Sequence, residues 1–564
     1  MSNIGKAIRH KRFQIQPKRD VTLFIETSIG RKISLKILDC SRNGICAAMM
    51  DSESENYPEL QPSDIIPNGK IMVDDFEYAL GRLVLRTIRT VDGANLLGFS
   101  TVDLAVPITG SFSKYLSDPL NESNTPYNFE LSSKKFTIAN FSSDNQSNVD
   151  LFAKCRQFSI YLEEWEKTNK YAYHNIRTAS KGTRISLQRK RSNGRNDYII
   201  MGSNDYLGLA AHPEVIEAAR RALDKYGFGS TGSSVTTGIT DLHEKLSQRI
   251  AQLYGKEKAL LFNSGYTANV GIINGLTGVQ DFISCDFKAH ASIHDAIQMS
   301  RATNRCFKHN DINHLDRILK ENRDKHEGAL VVTEGIFSMD GDIPPLDEIY
   351  RVARKHNARL MVDEAHSLGV IGPRGLGAAD KFNLIDEVDV IMGTFSKICG
   401  GIGGFAVGTK QVVDWLHHFS RPYLFSISLP PSTVAAADKA LEIFESDKSA
   451  LKRLKDNIRH FAMGLKNIGF NINENHESSI IPVVIGDEAK LGIMYEKLLQ
   501  AGIFVVPIIY PAVSRNNCRF RFTICSEHSI ADLDLALMAL IDAMKLANFS
   551  PLHTTNKENI NDES

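Results

Sequence analysis

The sequence predicts an α/β protein in which a mostly parallel sheet covered by helices is preceded by a small β-barrel domain and followed by a smaller C-terminal α+β domain. Short apolar runs alternate with helical segments between residues 259 and 392, as is typical of strands buried on both faces. Period-two patterning before residue 110 is typical of short antiparallel strands. After residue 430 come long helical segments and two short strands, at 480–485 and 519–524.

Length and composition set broad limits. The chain has 564 residues, enough for several domains, and 66 basic residues balance 66 acidic ones. This balance gives no overall attraction to a nucleic acid polymer. The eight cysteines are scattered without a CxxC pair, so neither a disulfide framework nor a metal site is predicted. No apolar run approaches the ~18 residues that cross a bilayer. We expect a cytoplasmic protein and leave peripheral membrane contact open.

Changes in composition and patterning predict the domain boundaries. Residues 111–150 are rich in Ser, Asn, Asp and Pro with little periodicity, which is typical of a linker. We expect a β-barrel domain over 1–110, the linker over 111–150, an N-terminal helix and arm over 151–200, a large domain over 201–430, a small C-terminal domain over 431–548 and a disordered tail over 549–564.

The first domain carries a distinctive motif at the end of a strand. Its second predicted strand, at 32–38, runs directly into Asp-Cys-Ser-Arg-Asn-Gly at 39–44, and Leu-Gly-Phe follows at 97–99. Together these resemble a PilZ domain, the receptor module for cyclic-di-GMP. The two arginines four positions apart that this family carries are not matched, because Arg9 and Arg12 are three apart. Arginine side chains bind phosphate, so a shifted or missing arginine weakens nucleotide binding. Two alternatives therefore stay open: a working receptor, and a PilZ-like scaffold that binds no nucleotide.

A lysine among small residues is the first candidate for chemistry. Lys397 ends the run Gly-Thr-Phe-Ser-Lys, just past an apolar strand, and Gly-Gly-Ile-Gly-Gly follows at 400–404. Its amine is available for a Schiff base. Taken alone, the same pattern also fits an ordinary loop lysine.

An acid at a strand end upstream strengthens this interpretation. Asp363 closes an apolar strand, and His366 follows three positions later. A buried carboxylate stays charged beside a cationic partner, and a protonated pyridinium nitrogen is such a partner. The alternative is an aspartate that caps the next helix, with the histidine as a polar neighbour. One acid for the ring nitrogen and one amine for the aldehyde are the two groups that pyridoxal phosphate requires.

Residues 175–548 resemble the α-oxoamine synthase family of pyridoxal-phosphate enzymes, within the fold-type I aminotransferase superfamily. The matching motifs occur in the family's order: Ser-Asn-Asp-Tyr-Leu-Gly-Leu at 203–209, Phe-Asn-Ser-Gly-Tyr-Thr-Ala-Asn at 262–269, His-Ala-Ser at 290–292, Glu-Gly-Ile-Phe-Ser-Met-Asp-Gly-Asp at 334–342, the Asp363 and Lys397 segments, and Arg-Phe-Arg-Phe at 519–522. The resemblance implies a fold-type I transferase with pyridoxal 5'-phosphate as its cofactor.

The resemblance also implies roles for four side chains around the cofactor ring. Lys397 would hold the cofactor, release it to the amino acid and then remove the Cα proton. Asp363 would keep the ring nitrogen protonated, and His366 would hydrogen-bond the phenolic oxygen. His290 would stack on the ring face; by itself it also fits a partly buried core histidine.

The cofactor's phosphate and the substrate's carboxylate need partners of their own. Ser264, Gly265 and Tyr266 stand at a strand-to-helix turn, where free N–H groups and the helix dipole favour an anion. The resemblance adds the Thr394 hydroxyl for the same group and places Ser338 in the cofactor-contact loop. For the carboxylate it implies Arg519, with Asn204 as a second contact. The two arginines of that strand also fit a solvent-facing edge.

The reaction that the resemblance implies is the condensation of an amino acid with an acyl-CoA. Coenzyme A and CO2 would leave, and an α-amino ketone would form. The Gly-Thr-Phe-Ser-Lys segment is most similar to serine palmitoyltransferases, and biotin-pathway synthases such as 8-amino-7-oxononanoate synthase are close to it. The family builds its active site at a dimer interface, so the resemblance also implies a homodimer.

Three questions stay open at this point. Residues 177–196 hold seven lysines or arginines and no acid, which fits a solvated face or a site for the phosphates of coenzyme A. The superfamily also includes aminotransferases and lyases that use no thioester. A third class of function is a cyclic-di-GMP-responsive signalling protein in which the pyridoxal-phosphate fold is inert.

Overall fold

The computed structural model describes residues 152–167, 173, 175–188, 196–510 and 512–551, together with the backbone of seven strands between residues 13 and 103. The chain divides into two units, Met1–Tyr171 and Ala172–Ser564. The predicted linker at 111–150 and most of the predicted tail at 549–564 lie outside the described residues.

Antiparallel strands make up the described part of the first unit before residue 104. Their bounds are β1 Phe13–Gln14, β2 Val21–Glu26, β3 Lys32–Ser41, β4 Gly44–Met49, β5 Ile65–Val73, β6 Phe76–Val91 and β7 Ala94–Asp103. The strands pair in the order β1-β3-β2-β5-β6-β7-β4, and β4 pairs with β3 as well. The backbone pairing of β2 to β7 therefore closes on itself. Helix α1, Ala153–Lys167, belongs to the same unit.

The second unit begins with an arm of three short strands. They are β8 Ile176–Lys181, β9 Arg184–Gln188 and β10 Asp197–Ile200, paired antiparallel in sequence order. Four of the seven basic residues of the predicted run lie at 189–195, outside the described residues, and the other three lie on β8 and β9. The predicted segment 151–200 is divided by the boundary between the two units.

A seven-stranded mixed sheet lies at the centre of the second unit. Its strands are β11 Lys258–Phe262, β12 Phe282–Asp286, β13 Thr303–Phe307, β14 Ala329–Glu334, β15 Arg359–Asp363, β16 Val390–Thr394 and β17 Gly404–Gly408. They lie in the order β11-β17-β16-β15-β14-β12-β13. The pairs among β12 to β16 are parallel, whereas β17 is antiparallel to both of its neighbours. The predicted mostly parallel sheet is therefore confirmed.

Helices cover both faces of this sheet. Adjacent residues of one strand, such as Leu260 and Leu261, belong to different hydrophobic cores, one for each face. The helices before residue 430 are α2 Pro213–Tyr226, α3 Asp241–Tyr254, α4 Gly265–Leu276, α5 Ala291–Ser300, α6 Ile312–Asn322, α7 Leu346–Lys355, α8 Ala378–Lys381, α9 Lys410–Phe419 and α10 Arg421–Leu424. As predicted, α2 begins at Pro213 and ends before Gly227, whose φ of 77° suits glycine.

The C-terminal part combines four helices with a small antiparallel sheet. The helices are α11 Pro431–Ser446, α12 Ser449–Ile468, α13 Glu488–Gln500 and α14 Ile530–Leu546. The strands are β18 Ile480–Val484, β19 Ile503–Phe504, β20 Val506–Ile508 and β21 Arg519–Thr523. Strands β18, β21 and β20 form the sheet, and β19 pairs in parallel with β10 of the arm. Among the described residues, no helix combines the length and apolar character that crossing a bilayer requires.

The topology brings three strand ends to one edge of the central sheet. Strands β14, β15 and β16 are neighbours, and they end at Glu334, Asp363 and Thr394. Glu334 pairs in register with Asp363. Because parallel strands end on the same side, these three polar side chains lie at the carboxyl edge, where open α/β sheets hold their ligands.

Candidate active site

A cavity of about 230 Å³ opens at this carboxyl edge. It is lined by the ends of the central strands and by the first turns of α4 and α5. Its lining residues are Ser264, Gly265, Tyr266, Asn269, His290, Ser292, Glu334, Asp363, Ala365, His366, Met392, Thr394, Ser396 and Lys397. Eight of the residues predicted from sequence thus meet in one small space, although they are scattered over more than a hundred positions of the chain.

Asp363 is buried and held from two sides. Asn269 donates a hydrogen bond from Nδ2 to its Oδ2 across 2.7 Å, and the Ala365 N–H donates to its Oδ1 across 2.9 Å. The next acid, Glu364, points elsewhere: its carboxylate accepts hydrogen bonds from the N–H groups of Ala378 and Ala379 at the start of α8. The Asp363 side chain therefore lines the cavity, whereas the Glu364 carboxylate stabilises the start of α8.

Lys397 reaches the same cavity from the loop that follows β16. Burial lowers the pKa of its amine below the usual value, while the nearby carboxyl groups of Asp363 and Glu334 act in the opposite direction. A lysine with a lowered pKa exists as a neutral amine at lower pH than a surface lysine does. The amine is thus suited to act as a nucleophile or as a base.

Two histidines line the cavity and have different hydrogen-bond partners. Burial holds the pKa of His366 well below its usual value, and the charges of Lys397 and Arg521 lower it further, so its imidazole is neutral. Its Nδ1 lies 2.6 Å from the hydroxyl of the buried Tyr206. His290 begins α5 as its N-cap, where its Nδ1 accepts the N–H of Ser292 across 3.2 Å. Burial also lowers the pKa of His290.

The first turn of α4 forms a place for an anion. Ser264 caps the helix by accepting the N–H of Thr267, and the N–H groups of Gly265 and Tyr266 come before the first intrahelical hydrogen bond. Gly265 packs closely on Thr394, since a Cβ at this glycine would lie 3.1 Å from the Cβ of Thr394. The helix dipole, the free N–H groups and this hydroxyl residue favour a phosphate.

Glu334 lies at the floor of the cavity and is nearly inaccessible to solvent, with 2% of its surface exposed. Burial raises the pKa of its carboxyl well above the usual value, and the charge of Asp363 raises it further. Its Oε1 makes no hydrogen bond among the described residues. Burial thus favours the neutral form of the Glu334 carboxyl group, which lies at a strand end beside Asp363.

The two arginines of β21 have different partners. Arg519 is buried and ion-paired through Nη1 with Oδ1 of Asp340 across 2.5 Å. Arg521 donates from Nε to the carbonyl oxygen of Ser338 across 2.6 Å and from Nη1 to Oδ1 of Asn204 across 3.3 Å. Its charge acts on Lys397, and on His366 and Tyr206. The residue predicted as the carboxylate clamp, Arg519, is thus engaged elsewhere, and Arg521 is the arginine beside the cavity.

Three predicted residues do not line the cavity: Arg519, Ser338 and Asn204. Ser338 contributes its carbonyl oxygen to Arg521, and Asn204 contributes its side-chain oxygen to the same guanidinium. Both therefore position an arginine beside the cavity. The prediction of Arg519 as the carboxylate clamp, with Asn204 as a second contact, does not account for the buried ion pair of Arg519 with Asp340.

Six lining residues and two neighbours were not predicted as site residues from the sequence: Asn269, Ser292, Glu334, Ala365, Met392, Ser396, Tyr206 and Arg521. Seven of the eight lie inside or at the edge of motifs that resemble the family. Asn269 lies four positions after Gly265 on α4, so helical periodicity places the two on one face. Glu334 ends a predicted strand, as Asp363 does, and this shared pattern is the signal that could have found it.

Comparison with known proteins agrees with this geometry. Residues 196–540 match the family described as aminotransferase class I and II. The 8-amino-7-oxononanoate synthase of Thermoanaerobacter pseudethanolicus is 39% identical over 387 residues, which cover 69% of this chain and 96% of that protein. The serine palmitoyltransferase of Sphingobacterium spiritivorum is 38% identical over 406 residues, which cover 72% of this chain and 100% of that protein.

Solved structures show the same likeness. The serine palmitoyltransferase of Sphingomonas wittichii superimposes with a TM-score of 0.68 and 34% identity, covering 71% of this chain and 100% of that one. A structure described as SPT with PLP internal aldimine gives a TM-score of 0.67 and 33% identity, covering 71% of this chain and 99% of that one.

Proposed function

Since this chain belongs to the aminotransferase class I and II family and is a pyridoxal-phosphate-dependent α-oxoamine synthase, we propose that it condenses a small amino acid with an acyl-CoA at the cavity around Lys397 and Asp363. The products are an α-amino ketone, free coenzyme A and CO2. One observation supports this proposal most strongly: the amine of Lys397, whose pKa is lowered, the buried carboxylate of Asp363 and the N-terminus of α4 all line one cavity.

The residues around the cavity fit pyridoxal phosphate. Asp363 offers a buried carboxylate to a protonated ring nitrogen, and Asn269 orients it. The first turn of α4 offers N–H groups to the phosphate. Lys397 offers its amine to the aldehyde. Both histidines line the same cavity: the imidazole of His290 would offer a flat surface to the ring, and that of His366 a hydrogen-bonding partner.

When bound, pyridoxal phosphate supplies an aldehyde and an electron sink. Asp363 would stabilise a positive charge at the ring nitrogen, and this charge would deepen the sink. The lowered pKa of Lys397 supports its use as the base that takes a proton from Cα of the amino acid. The neutral imidazole of His366 forms a hydrogen bond with the hydroxyl of Tyr206, and this bond fixes the orientation of the imidazole ring.

For the substrate carboxylate we propose Arg521 in place of Arg519. The guanidinium of Arg521 lies beside Asn204 and near the charges of the cavity, whereas the ion pair with Asp340 already neutralises Arg519. Arginine binds a carboxylate through two parallel N–H groups, which fixes the amino acid's orientation. Arg519 then supports the loop that carries Ser338.

The size of the cavity supports a small amino acid. At about 230 Å³ it lies below the ~300–1,000 Å³ usual for pockets that hold small molecules. Once the cofactor fills part of this volume, little room remains for a side chain. We propose glycine, alanine or serine as the amino acid, and leave the length of the acyl chain to experiment.

The test is a screen of amino acids against acyl-CoA thioesters of different length. Free thiol reports coenzyme A release, and mass spectrometry reports the ketone. We expect thiol release with at least one of the three small amino acids and none with Lys397→Ala. A matched control is Lys320→Ala, which changes an exposed lysine of α6 and should keep the activity. Transamination or elimination without thiol release would contradict the proposal and favour the aminotransferase or lyase alternative.

We further propose that the active enzyme is a homodimer. Large apolar side chains are exposed on two segments that meet at a bridge between Ser233 and Ile427: Phe228 is 90% exposed, Phe425 74% and Ile427 54%. The Ile427 carbonyl oxygen accepts a hydrogen bond from Asn263, the residue before Ser264. An apolar patch of this kind marks an interaction surface. Sedimentation analysis of the wild type and of Phe425→Glu tests this; a wild-type monomer would contradict it.

For the first unit we propose a PilZ-like module that binds cyclic-di-GMP. Two observations support it: the backbone pairing of β2 to β7 closes on itself, and the Asp-Cys-Ser-Arg-Asn-Gly motif spans the connection from β3 to β4, with Ser41 paired to Gly44. Arg9, Arg12, Arg42 and Asn43 lie outside the described residues. Calorimetry of the full chain with cyclic-di-GMP is the test. If no heat is released at micromolar protein, the first unit is a PilZ-like scaffold that binds no nucleotide, and the signalling function is contradicted.

A further inference from the structure

A cluster of two cysteines and one histidine lies away from the cavity's lining. Cys285 is on β12, Cys306 on β13 and His294 on α5, and their sulfur and nitrogen ligand atoms all lie within 4.8 Å of one another. The chain order strand, helix, strand explains why the sequence showed no metal motif: the cysteines are 21 positions apart, and a parallel strand pair brings them together. None of the three takes part in the chemistry proposed above.

The two sulfurs face each other because of the strand register. Cys285 pairs directly with Cys306 in the parallel ladder, so their side chains point to the same face of the sheet. The Sγ atoms are 3.3 Å apart. Cys285 is buried, whereas Cys306 is half-buried. One sulfur is therefore fixed in the core, and the other can be reached from solvent.

The histidine completes the group from the helix above. His294 lies within the first turns of α5 and is half-buried. Its ring interacts with the Cys306 thiol and with main-chain groups of Phe287 and Ala289. Support of a histidine ring by main-chain carbonyl groups is the usual second set of contacts around a metal-binding imidazole.

We propose that Cys285, Cys306 and His294 bind one zinc ion. Two thiolates and an imidazole are the ligands that zinc prefers, and three protein ligands leave a fourth tetrahedral position for water. With zinc–sulfur bonds of about 2.3 Å, two sulfurs of a tetrahedral site lie roughly 3.8 Å apart. The thiols at 3.3 Å thus need to separate by about half an ångström, within the freedom of a side-chain torsion.

The cluster has no competing cation among the described residues. Its sulfur and nitrogen atoms contact one another and main-chain groups, and none of them forms an ion pair there. A second group of three potential ligands, His309, Asp340 and Asp342, differs in this respect. Its members already form ion pairs, His309 with Asp342 and Asp340 with Lys288 and Arg519. The cysteine cluster is therefore the stronger zinc site of the two.

A disulfide is the competing outcome for the same pair. Neighbouring strands are ~4.8 Å apart, within the ~4.4–6.8 Å Cα separation of disulfides, so the backbone spacing allows either outcome. A disulfide needs an oxidant and would draw the two Sγ atoms from 3.3 Å to about 2.05 Å. Zinc would instead move them slightly apart. It would also tie α5, which begins at the cavity residue His290, to the edge strand β13.

The experiment measures metal in the full-length protein loaded with its cofactor. The chain is produced in zinc-supplemented medium, purified under reducing conditions without chelator, and analysed for metal by mass spectrometry. We expect about one zinc per chain in the wild type, and at least 10-fold less in Cys306→Ser and in His294→Gln. The matched control is Cys155→Ser, since Cys155 is an exposed free cysteine in the first unit.

Replacement of the zinc by Co²⁺ gives a test that does not depend on the folding of a variant. The wild-type protein should then show the visible d–d absorption of tetrahedral cobalt, at longer wavelength than the cofactor absorbs. Absence of this absorption would overturn the proposal. So would an unchanged zinc content in Cys306→Ser and His294→Gln. A metal-free wild type whose mass reveals a Cys285–Cys306 disulfide would overturn it too.

Discussion

Asn269 donates hydrogen bonds from its Nδ2 to Oδ2 of Asp363 across 2.7 Å and to the Ser292 hydroxyl across 2.9 Å. The same hydroxyl lies 2.8 Å from Nδ1 of His290. The predicted partner of the ring nitrogen and the predicted stacking residue are thus joined through two side chains that the sequence did not single out. Asn269 on α4 therefore links Asp363 at the end of β15 to Ser292 in the first turn of α5.

Replacement of Asn269 by leucine tests this relationship. Leucine has a similar shape but donates no hydrogen bond, so Asp363 loses one of its two fixed partners. We expect pyridoxal phosphate to bind roughly 10-fold more weakly, a change of about 1.4 kcal/mol, while the protein stays folded. Absorbance titration of cofactor-free protein measures the Kd. The matched control is Asn274→Leu, because Asn274 is also on α4 but bonds only to main-chain carbonyl groups. An equal loss in both variants would contradict the assignment.

The two arginines of β21 should separate into a binding residue and a structural one. Arg521→Met should raise the KM for the amino acid more than ~10-fold with little change in cofactor binding, because the carboxylate loses its bidentate partner. Arg519→Met should instead lower the free energy of unfolding by ~2 kcal/mol, because Asp340 keeps only Lys288 as a charged partner. Steady-state kinetics and urea unfolding of both variants decide between these roles. The reverse pattern would restore Arg519 as the carboxylate clamp.

A histidine beside the cofactor loop should make stability depend on pH. His309 lies between Asp286 and Asp342, at 2.9 and 2.8 Å. Burial alone would lower the pKa of His309, but these two carboxylates raise it to about 9. The folded state therefore binds the proton more tightly than the unfolded state does. The stabilisation is fully present below about pH 6.5 and is lost as the pH rises through about 9.

Comparison with His309→Gln measures this contribution. A rise of the pKa from its usual 6.5 to about 9 corresponds to roughly 3 kcal/mol at pH 6, an upper limit because part of the side chain is exposed. Urea unfolding at pH 6 and at pH 9.5 should give a large difference between wild type and variant at the lower pH and a small one at the higher. A difference independent of pH would contradict the ion-pair explanation.

Most of the site residues that the sequence could predict lie at or just after the ends of buried strands. Asp363, Thr394 and Lys397 follow apolar strands, and neighbouring parallel strands end at the same edge, so local patterns were enough to bring them together. The turn at Ser264 and Gly265 was predictable for the same reason, because a strand leads directly into a helix there.

The partners of several side chains depend on tertiary contacts, and the sequence could not predict these partners. Arg519 and Arg521 share one face of β21, as alternation requires, and only the position of the loop at 338–340 determines which of them is neutralised. Asn269 and Ser292 reach Asp363 and His290 across helix and strand boundaries. Cys285 and Cys306 meet through a parallel ladder, which leaves no short spacing motif to recognise.

Reduction of the cofactor-loaded enzyme with borohydride tests most directly whether Lys397 and Asp363 hold pyridoxal phosphate. The cofactor should become covalently fixed to the peptide that contains Lys397, as mapped by mass spectrometry. Asp363→Ala should bind the cofactor more weakly and give less of this product. A cofactor that is fixed to another lysine, or a wild-type protein that traps none after incubation with pyridoxal phosphate, would contradict the proposed active site.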